Sequence, residues 1–260
     1  MATVLRGVRA VRAAILVAVA VASIGCGGFA RIRPFRSTTA EVLLADMAAR
    51  RSAVTSMRAR VRLRSGLARV WTRQALLVQR PAAVRVDVLS PFGLALAFGT
   101  EGRTLWAFPP QQGVRYEGAA TPENFQRLVG APLAVPDMVD VLLGVPPERA
   151  PVEPPVLARD GDHWMLTVRY RDGTQVVAFA GDTLEIASID ERPDGGVAVH
   201  VGYGDYERGF ARSLELATEG REAIRIAFDE VEPNAIIDPA VFIGPQAPKV
   251  LPIERTAAPS

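Results

Sequence analysis

Strict alternation of apolar and polar residues predicts β-strands along most of the chain. In "RARVRLRS", Val61 and Leu63 fall on one side and Arg60, Arg62 and Arg64 on the other, which is the two-residue period of a half-buried strand. Similar segments before residue 110 read "ARVWTRQALLVQR", "AVRVDVLS", "LALAFGT" and "RTLWAFP". After Leu157 the pattern returns in "DHWMLTVRY", "TQVVAFA", "TLEIASID", "GVAVHVGY", "ARSLELAT" and "EAIRIAFDE". The chain is therefore predicted to be mainly β.

Short polar turns separate these segments and predict that successive strands are hairpins. Asp172-Gly173 and Asp194-Gly195 are the clearest of them, because Asp and Gly adopt the positive φ of tight turns at little cost. About 10 or 11 strands joined in this way indicate one antiparallel sheet that curves strongly or closes partly into a barrel.

Helical patterns interrupt the strands in two places. Thr38 and Glu41 predict a capping box that opens an amphipathic helix running to about Ser56, with Val42, Leu43, Met47, Val54 and Met57 along its apolar stripe. Residues 121–144 predict two short helices, each with a proline near its start and a glycine after its end, as is common for helices. We expect all three to cover the inner face of the sheet.

The predicted sheet carries apolar side chains on one face of several successive strands. An ordinary filled core is one interpretation. The alternative is an elongated apolar cavity, because a sheet of this length curves around more volume than three short helices easily fill, and barrel mouths are preferred ligand sites. The candidate lining residues of such a cavity are Val61, Leu63, Val84, Val86, Val88, Leu94, Leu96, Phe98, Trp106, Phe108, Phe125, Leu128, Met138 and Leu142. The predicted fold is thus an incomplete, half-open antiparallel β-barrel with an apolar cavity covered by short helices.

The N-terminal segment, 1–25, predicts a secretory signal. Arg6, Arg9 and Arg12 precede an uncharged run from Ala13 to Ile24, which is the order of a signal peptide. A permanent transmembrane helix is the weaker alternative, because spanning a bilayer takes about 20 apolar residues. Residues 26–36 are then a tether, residues 37–242 the β-barrel domain, and residues 243–260 a Pro-rich tail that we expect to be loosely ordered.

Cys26 is the single cysteine of the chain, so it cannot form an internal disulfide. Ser23-Ile24-Gly25-Cys26 resembles the bacterial lipobox, with serine where leucine is usual. The resemblance implies that Cys26 is acylated and becomes the first residue of a lipoprotein; a plain cleaved signal is the alternative. Gly27, in place of aspartate, resembles the pattern that permits export to the outer membrane, which implies a protein anchored by lipid on the periplasmic face of that membrane.

Charge and motifs exclude several classes of function. The 30 basic residues nearly balance the 28 acidic ones, and the alternating arginines of "MRARVRLRSG" suit a solvated strand face better than a nucleic-acid surface. His163 and His200 each lack a second histidine or a cysteine at ligand spacing, so no metal site is predicted. No nucleophile, phosphate-loop or dinucleotide motif stands in a supporting context. We therefore expect a protein that is not an enzyme and needs no cofactor.

The central segments "RVDVLSPFGLALAFGTEGRTLWAF" and "YEGAATPENFQRLVGAPLAVPDMVDVLLGVP" resemble the LolB family of outer-membrane lipoprotein receptors, within the LolA/LolB superfamily. The shared features are a strand that ends in a Pro-apolar-Gly tip, here Pro91-Phe92-Gly93, and a helical pair that ends in leucine-glycine-x-proline, here Leu143-Gly144-Val145-Pro146. The resemblance is close over residues 84–146 and extends in pattern over residues 37–231.

The resemblance implies a fold and a function. The fold is an incomplete β-barrel with an apolar cavity under helices, and the function is to take lipoprotein acyl chains from a periplasmic LolA-like carrier and place the lipoproteins in the outer membrane. In that family the apolar residue of the tip protrudes and acts in membrane insertion, and it corresponds to Phe92 here. Phe92 folded back into the core is the alternative. A monomer is expected, whose partners are acyl chains, the carrier and membrane lipid.

Two other functions remain open at the level of sequence. One is a module of the same fold that holds a different lipid or reports envelope stress. The other is a structural lipoprotein whose inner face is fully packed.

Overall fold

A computed structural model of the chain describes residues 34–64 and 71–255. Within these residues, 14 strands form one sheet in the order β14-β6-β5-β4-β3-β2-β1-β13-β12-β11-β10-β9-β8-β7. The strands are β1 (Ser56–Arg64), β2 (Thr72–Gln79), β3 (Ala83–Ser90), β4 (Gly93–Thr100), β5 (Thr104–Phe108), β6 (Val114–Ala119), β7 (Val156–Asp160), β8 (His163–Tyr170), β9 (Gly173–Ala180), β10 (Ile186–Pro193), β11 (Val199–Glu207), β12 (Phe210–Thr218), β13 (Ile224–Pro233) and β14 (Lys249–Pro252).

Neighbouring strands are antiparallel except β14, which pairs with β6 in parallel. The two edges, β14 and β7, do not pair with each other, so the sheet stays open. The predicted fold class is confirmed. The strand number is higher than predicted, because β6, β7 and β14 are short segments rich in Gly, Pro or charged residues whose alternation is too brief to detect.

The sheet has two ends, which the strand register defines. Leu63 lies opposite both Thr72 and Ile226, and Ser90 lies opposite Gly93, so the last residues of β1, β3 and β12 all lie at one end. We call it the Phe92 end. The opposite end, where β1 begins, is called the Ser56 end.

The described residues contain three α-helices: α1 (Ala40–Ala53), which precedes β1, and α2 (Pro122–Val129) and α3 (Val135–Leu142), which lie between β6 and β7. The Thr121 hydroxyl accepts from the Asn124 N–H at 3.3 Å and caps α2, which begins at a proline as predicted. In α1 the cap is Thr39, whose hydroxyl accepts from the Val42 N–H at 3.4 Å, and not Thr38. The position is off by one because adjacent threonines offer the same side chain.

The predicted extent and stripe of α1 also need correction. The helix ends at Ala53, and Met57 belongs to β1. Leu43 is fully buried, whereas Val42 is 54% exposed. Ser56 and Met57 have an extended backbone because strand β1 begins there. The helical spacing of apolar residues does not indicate where the helix gives way to the strand.

The described part of the tail is ordered, so the expectation of a loose tail is wrong for residues 243–255. Lys249–Pro252 forms β14, and Ile253 is fully buried. Phe242 is also buried, in a small second cluster with Ala235 and Ile237. The segment around Phe242 covers the outer face of the sheet, whereas Ile253 belongs to the main core, which lies on the inner face beneath the helices.

Candidate functional site

An apolar cavity of about 300 Å³ lies between the inner face of the sheet and helices α2 and α3. Its walls come from both halves of the chain, because β1 pairs with β2 on one side and with β13 on the other. The sequence-predicted residues that line it are Val61, Leu63, Val84, Val86, Leu96, Phe98, Phe125, Leu128, Met138 and Leu142.

Sequence reasoning missed part of the wall. The additional lining residues are Thr72, Gln74, Leu76, Val129, Leu214, Leu216, Ile224 and Ile226. Those of β12 and β13 come beside β1 through a pairing of segments that are distant in the chain, as Leu63 with Ile226 shows. Alternation assigns these residues to one strand face but cannot indicate which distant strand lies beside them.

Four predicted lining residues do not line the cavity: Val88, Leu94, Trp106 and Phe108. For Trp106 and Phe108 the prediction assigned the residues of β5 to the wrong faces of the strand. Phe98 lies opposite Ala107, and Gly99 lies opposite Trp106. Because opposite residues share a face and Phe98 lines the cavity, Trp106 points to the outer face, as does Phe108 two residues further on. The inward residues of β5 are Leu105 and Ala107.

Contacts of the indole explain why Trp106 faces outward. Its Nε1–H donates to the Phe242 carbonyl at 2.6 Å, and the guanidinium groups of Arg85 and Arg115 lie 5.8 and 5.6 Å from its ring centre. A side chain at Gly244 would collide with the ring. This covering segment is far from Trp106 in sequence and was expected to be loose, so no local signal indicated it.

The other two corrections concern β3 and β4. A bulge between Val88 and Leu89 places Leu94 opposite Leu89, which is an exposed residue, so Leu94 is turned away from the cavity. Val88 lies opposite Leu96 and packs against the core without lining the cavity.

The cavity opens toward the Phe92 end of the sheet. Its lining residues near that end, Leu63, Thr72 and Leu96, are half-buried, whereas Leu76 and Val84, nearer the Ser56 end, are almost fully buried. A ligand therefore has access from the Phe92 end and a closed apolar floor beyond it.

Phe92 is the most exposed large apolar side chain of the described residues, at 98%. The Ser90 hydroxyl donates to the Gly93 carbonyl at 2.9 Å and accepts from the Phe92 N–H at 3.2 Å, which fixes the turn. Gly93 has φ of +112°, where a side chain would be strained. The turn thus holds the ring in solvent, and the alternative of a buried Phe92 is wrong.

Buried ion pairs hold α3 over the cavity. Asp140, almost fully buried, accepts from Arg51 of α1 and from Arg80 of the turn between β2 and β3. One turn earlier, Asp137 accepts from Arg149 at 2.7 Å. The Tyr203 hydroxyl donates to the Val141 carbonyl at 3.0 Å. Side chains of several separate elements therefore hold α3 in place, and the helix covers the cavity.

A second polar cluster lies beside α3. Burial raises the pKa of Glu191, against the opposing effects of the Arg149 charge and the hydrogen bond from Gln175. The Tyr170 hydroxyl donates to the same carboxylate at 3.2 Å. Glu191 of β10 therefore contacts Tyr170 of β8 and Gln175 of β9. Arg149, which pairs with both Glu191 and Asp137, connects this cluster to α3.

Neither histidine lines the cavity. His200 Nδ1 lies 3.0 Å from Asp190 Oδ1 on the exposed side of the sheet. In the described ranges, no group of three or more His, Cys, Asp or Glu could hold a metal ion. No helix of those ranges is long and apolar enough to cross a membrane. The predicted signal, Cys26 and the tether up to residue 33 lie outside the described residues.

Solved structures share this architecture. A LolA superfamily protein from Nitrosomonas europaea is 14% identical and aligns over 79% of this chain and 98% of its own, with a TM-score of 0.54. The chain has the LolA-type fold.

Two other solved structures are similar to the chain. A putative outer-membrane lipoprotein-sorting protein domain from Vibrio parahaemolyticus is 10% identical over 78% of this chain and 97% of its own, with a TM-score of 0.52. A DUF1329 family protein from Desulfovibrio piger is 10% identical over 78% and 95%, with a TM-score of 0.53. No family model matches the sequence, and no curated protein matches it significantly. At these low identities, the similarity to the solved structures shows a shared fold alone.

Proposed function

We propose that the protein binds the acyl chains of lipoproteins in the apolar cavity and helps to place those lipoproteins in the outer membrane. The observation that carries the proposal is a cavity of about 300 Å³ with almost entirely apolar walls, which opens at the same end of the sheet as an exposed phenylalanine. Its volume is at the lower end of the range for ligand sites.

The energetics of acyl transfer favour such a cavity. Each buried CH₂ gains about 0.8 kcal/mol, so a chain of about 16 carbons gains on the order of 12 kcal/mol when it leaves water. Exposing the chain during transfer would cost most of that gain. A cavity that opens beside a membrane-contacting residue offers a continuous apolar path, and no nucleotide or enzymatic step is required.

Direction would come from a gradient of affinities, from a periplasmic LolA-like carrier to this protein and then to membrane lipid. In this proposal acylated Cys26 anchors the protein to the periplasmic face of the outer membrane, and Phe92 contacts the bilayer surface, where an aromatic ring is favourable. The protein acts as a monomer.

A transfer assay tests the proposal. Protein lacking residues 1–26 is mixed with carrier loaded with radiolabelled lipoprotein, and the label that moves to it is measured. We expect transfer to the wild type, loss of transfer in Leu96→Trp, which fills the cavity opening, and full transfer in the matched control Val156→Trp, because Val156 is exposed on edge strand β7. Folded protein that receives no lipoprotein would contradict the proposal. A different co-purifying lipid would then favour a lipid-binding module, and an empty, non-binding cavity would favour a structural lipoprotein.

A further inference from the structure

One wall of the cavity carries a buried polar side chain that the proposed function does not use. Gln74 is 8% exposed and lies on the inner face of β2, opposite Val61 of β1 and Val88 of β3. Apart from Thr72, every other lining residue is apolar. A buried amide whose hydrogen bonds are only partly satisfied is less favourable than an apolar side chain, so an apolar residue would make the cavity wall more stable.

The hydrogen bonds around Gln74 fix the orientation of its amide. The Thr72 hydroxyl donates to the Leu63 carbonyl at 3.2 Å, which uses its single proton. Thr72 Oγ1 can therefore only accept from Gln74, and the Gln74 Nε2–H donates to it at 3.2 Å. This chain of hydrogen bonds turns Nε2 toward Thr72 and leaves Oε1 as the free acceptor, beside the second Nε2–H.

Gln74 Oε1 accepts no hydrogen bond from residues 34–64 and 71–255, and it is not among the fully buried side-chain atoms of those residues that lack a partner, so it is accessible from the cavity. A carbonyl oxygen accepts but cannot donate. A ligand group that takes the place of water at Oε1 must therefore be a hydrogen-bond donor.

We infer that Gln74 selects acyl chains that are linked through an amide, whose N–H donates to Oε1, over chains linked through an ester, which has no donor at that position. The inference rests on the proposed acyl-binding function and deepens it. Thr72 lies at the Phe92 end of β2, with Gln74 two residues further in, so the linkage binds near the opening while the hydrocarbon extends toward Val84 and Leu142.

Two probes that differ in one group test this selectivity. N-methyldodecanamide and methyl dodecanoate have the same chain length, and only the amide has an N–H. Each competes with a fluorescent fatty-acid analogue for the full domain, residues 27–260. For the wild type we expect the amide to bind about threefold to tenfold more tightly, the range of one net hydrogen bond.

Gln74→Met retains the length of the side chain and removes the acceptor. We expect the order of the two probes to reverse, because the amide N–H is then buried without a partner. The matched control Leu76→Met changes a neighbouring residue on the same strand face and should keep the wild-type preference. Because the readout is a ratio within each variant, a general loss of affinity does not alter it.

Each outcome has a distinct meaning. Equal binding of both probes by the wild type, or the same preference in Gln74→Met as in the wild type, would overturn the role of Gln74 and leave acyl binding intact. Folded wild type that binds neither probe would overturn the proposed function itself. A preference for the amide that only Gln74→Met abolishes supports the inference.

Discussion

In the proposed function, Phe92 is the residue on which membrane contact depends most directly. Phe92→Glu should leave the free energy of unfolding within about 0.5 kcal/mol of wild type, because the ring makes no buried contact. Burying a phenylalanine gains about 1.5–3 kcal/mol, so binding to phospholipid vesicles should weaken at least about tenfold. Vesicle co-sedimentation measures this.

Ile236→Glu is the matched control for that change. Ile236 is 96% exposed but follows β13, at the Ser56 end. The same substitution there should not affect vesicle binding. Equal losses in the two variants would mean that general hydrophobicity, rather than the Phe92 turn, controls membrane contact.

Tyr206 predicts how stability responds to alkaline pH. Burial raises the pKa of Tyr206 to about 12, whereas an unfolded tyrosine titrates near 10. Since the folded value is higher, the stabilising contribution is complete below about pH 10 and is lost as the pH rises through 12. The free energy of unfolding should therefore fall between pH 10 and 12.

The variant Tyr206→Phe removes this titration and also the hydrogen bond to the Ile186 carbonyl, which is 2.7 Å long. It should be less stable at pH 8 by about 1 kcal/mol and show a smaller alkaline fall in urea titrations. Tyr116→Phe, at an exposed hydroxyl, should retain the full fall. An unchanged alkaline fall in Tyr206→Phe would show that other groups cause it.

Single residues of the cavity were predictable where alternation was long. β1 and β3 assign Val61, Leu63, Val84 and Val86 to the inner face, where the structure places them. Trp106 was assigned wrongly because the short strand β5 allows either phase, and the residues that cover it are distant in the chain. Gln74 was missed because a polar residue inside a strand is normally taken as its solvent face.

Helix α3 depends on a buried charge for its position over the cavity. Asp140→Ala leaves Arg51 and Arg80 without their shared partner, and breaking a buried ion pair costs about 3–5 kcal/mol. We expect that loss in urea denaturation. Asp229→Ala removes a carboxylate paired with Arg62 at 2.9 Å on the exposed face and should cost less than about 1 kcal/mol. Similar costs in the two variants would contradict the role of Asp140 as the buried anchor of α3.

Strands and helices could be predicted from the sequence where turn or helix-end residues marked both of their ends. Asp-Gly turns indicated hairpins, and proline and glycine bounded α2 and α3, because these signals act within a few residues. The short strands β6, β7 and β14 lack such signals. Parallel pairing of β14 with β6 joins segments that are distant in the chain, and local pattern carries no information on it.

At the scale of the whole molecule, the cavity exists because β1 pairs with β13 and brings the two halves of the sheet together. The sequence predicted an open, curved sheet with helices inside it. Whether that interior is filled or hollow depends on side-chain volumes across strands that are distant in the chain, so both interpretations stayed open until the packing was known.

The measurement that tests the central claim most directly is photo-crosslinking with a fatty acid that carries a diazirine near its methyl end. If the cavity holds the chain, tryptic peptides that contain Val84 or Leu142 should be labelled, and Leu96→Trp should abolish the labelling. Labelling confined to outer-face peptides such as that of Val156, or labelling of Val84 and Leu142 that Leu96→Trp does not change, would contradict the account.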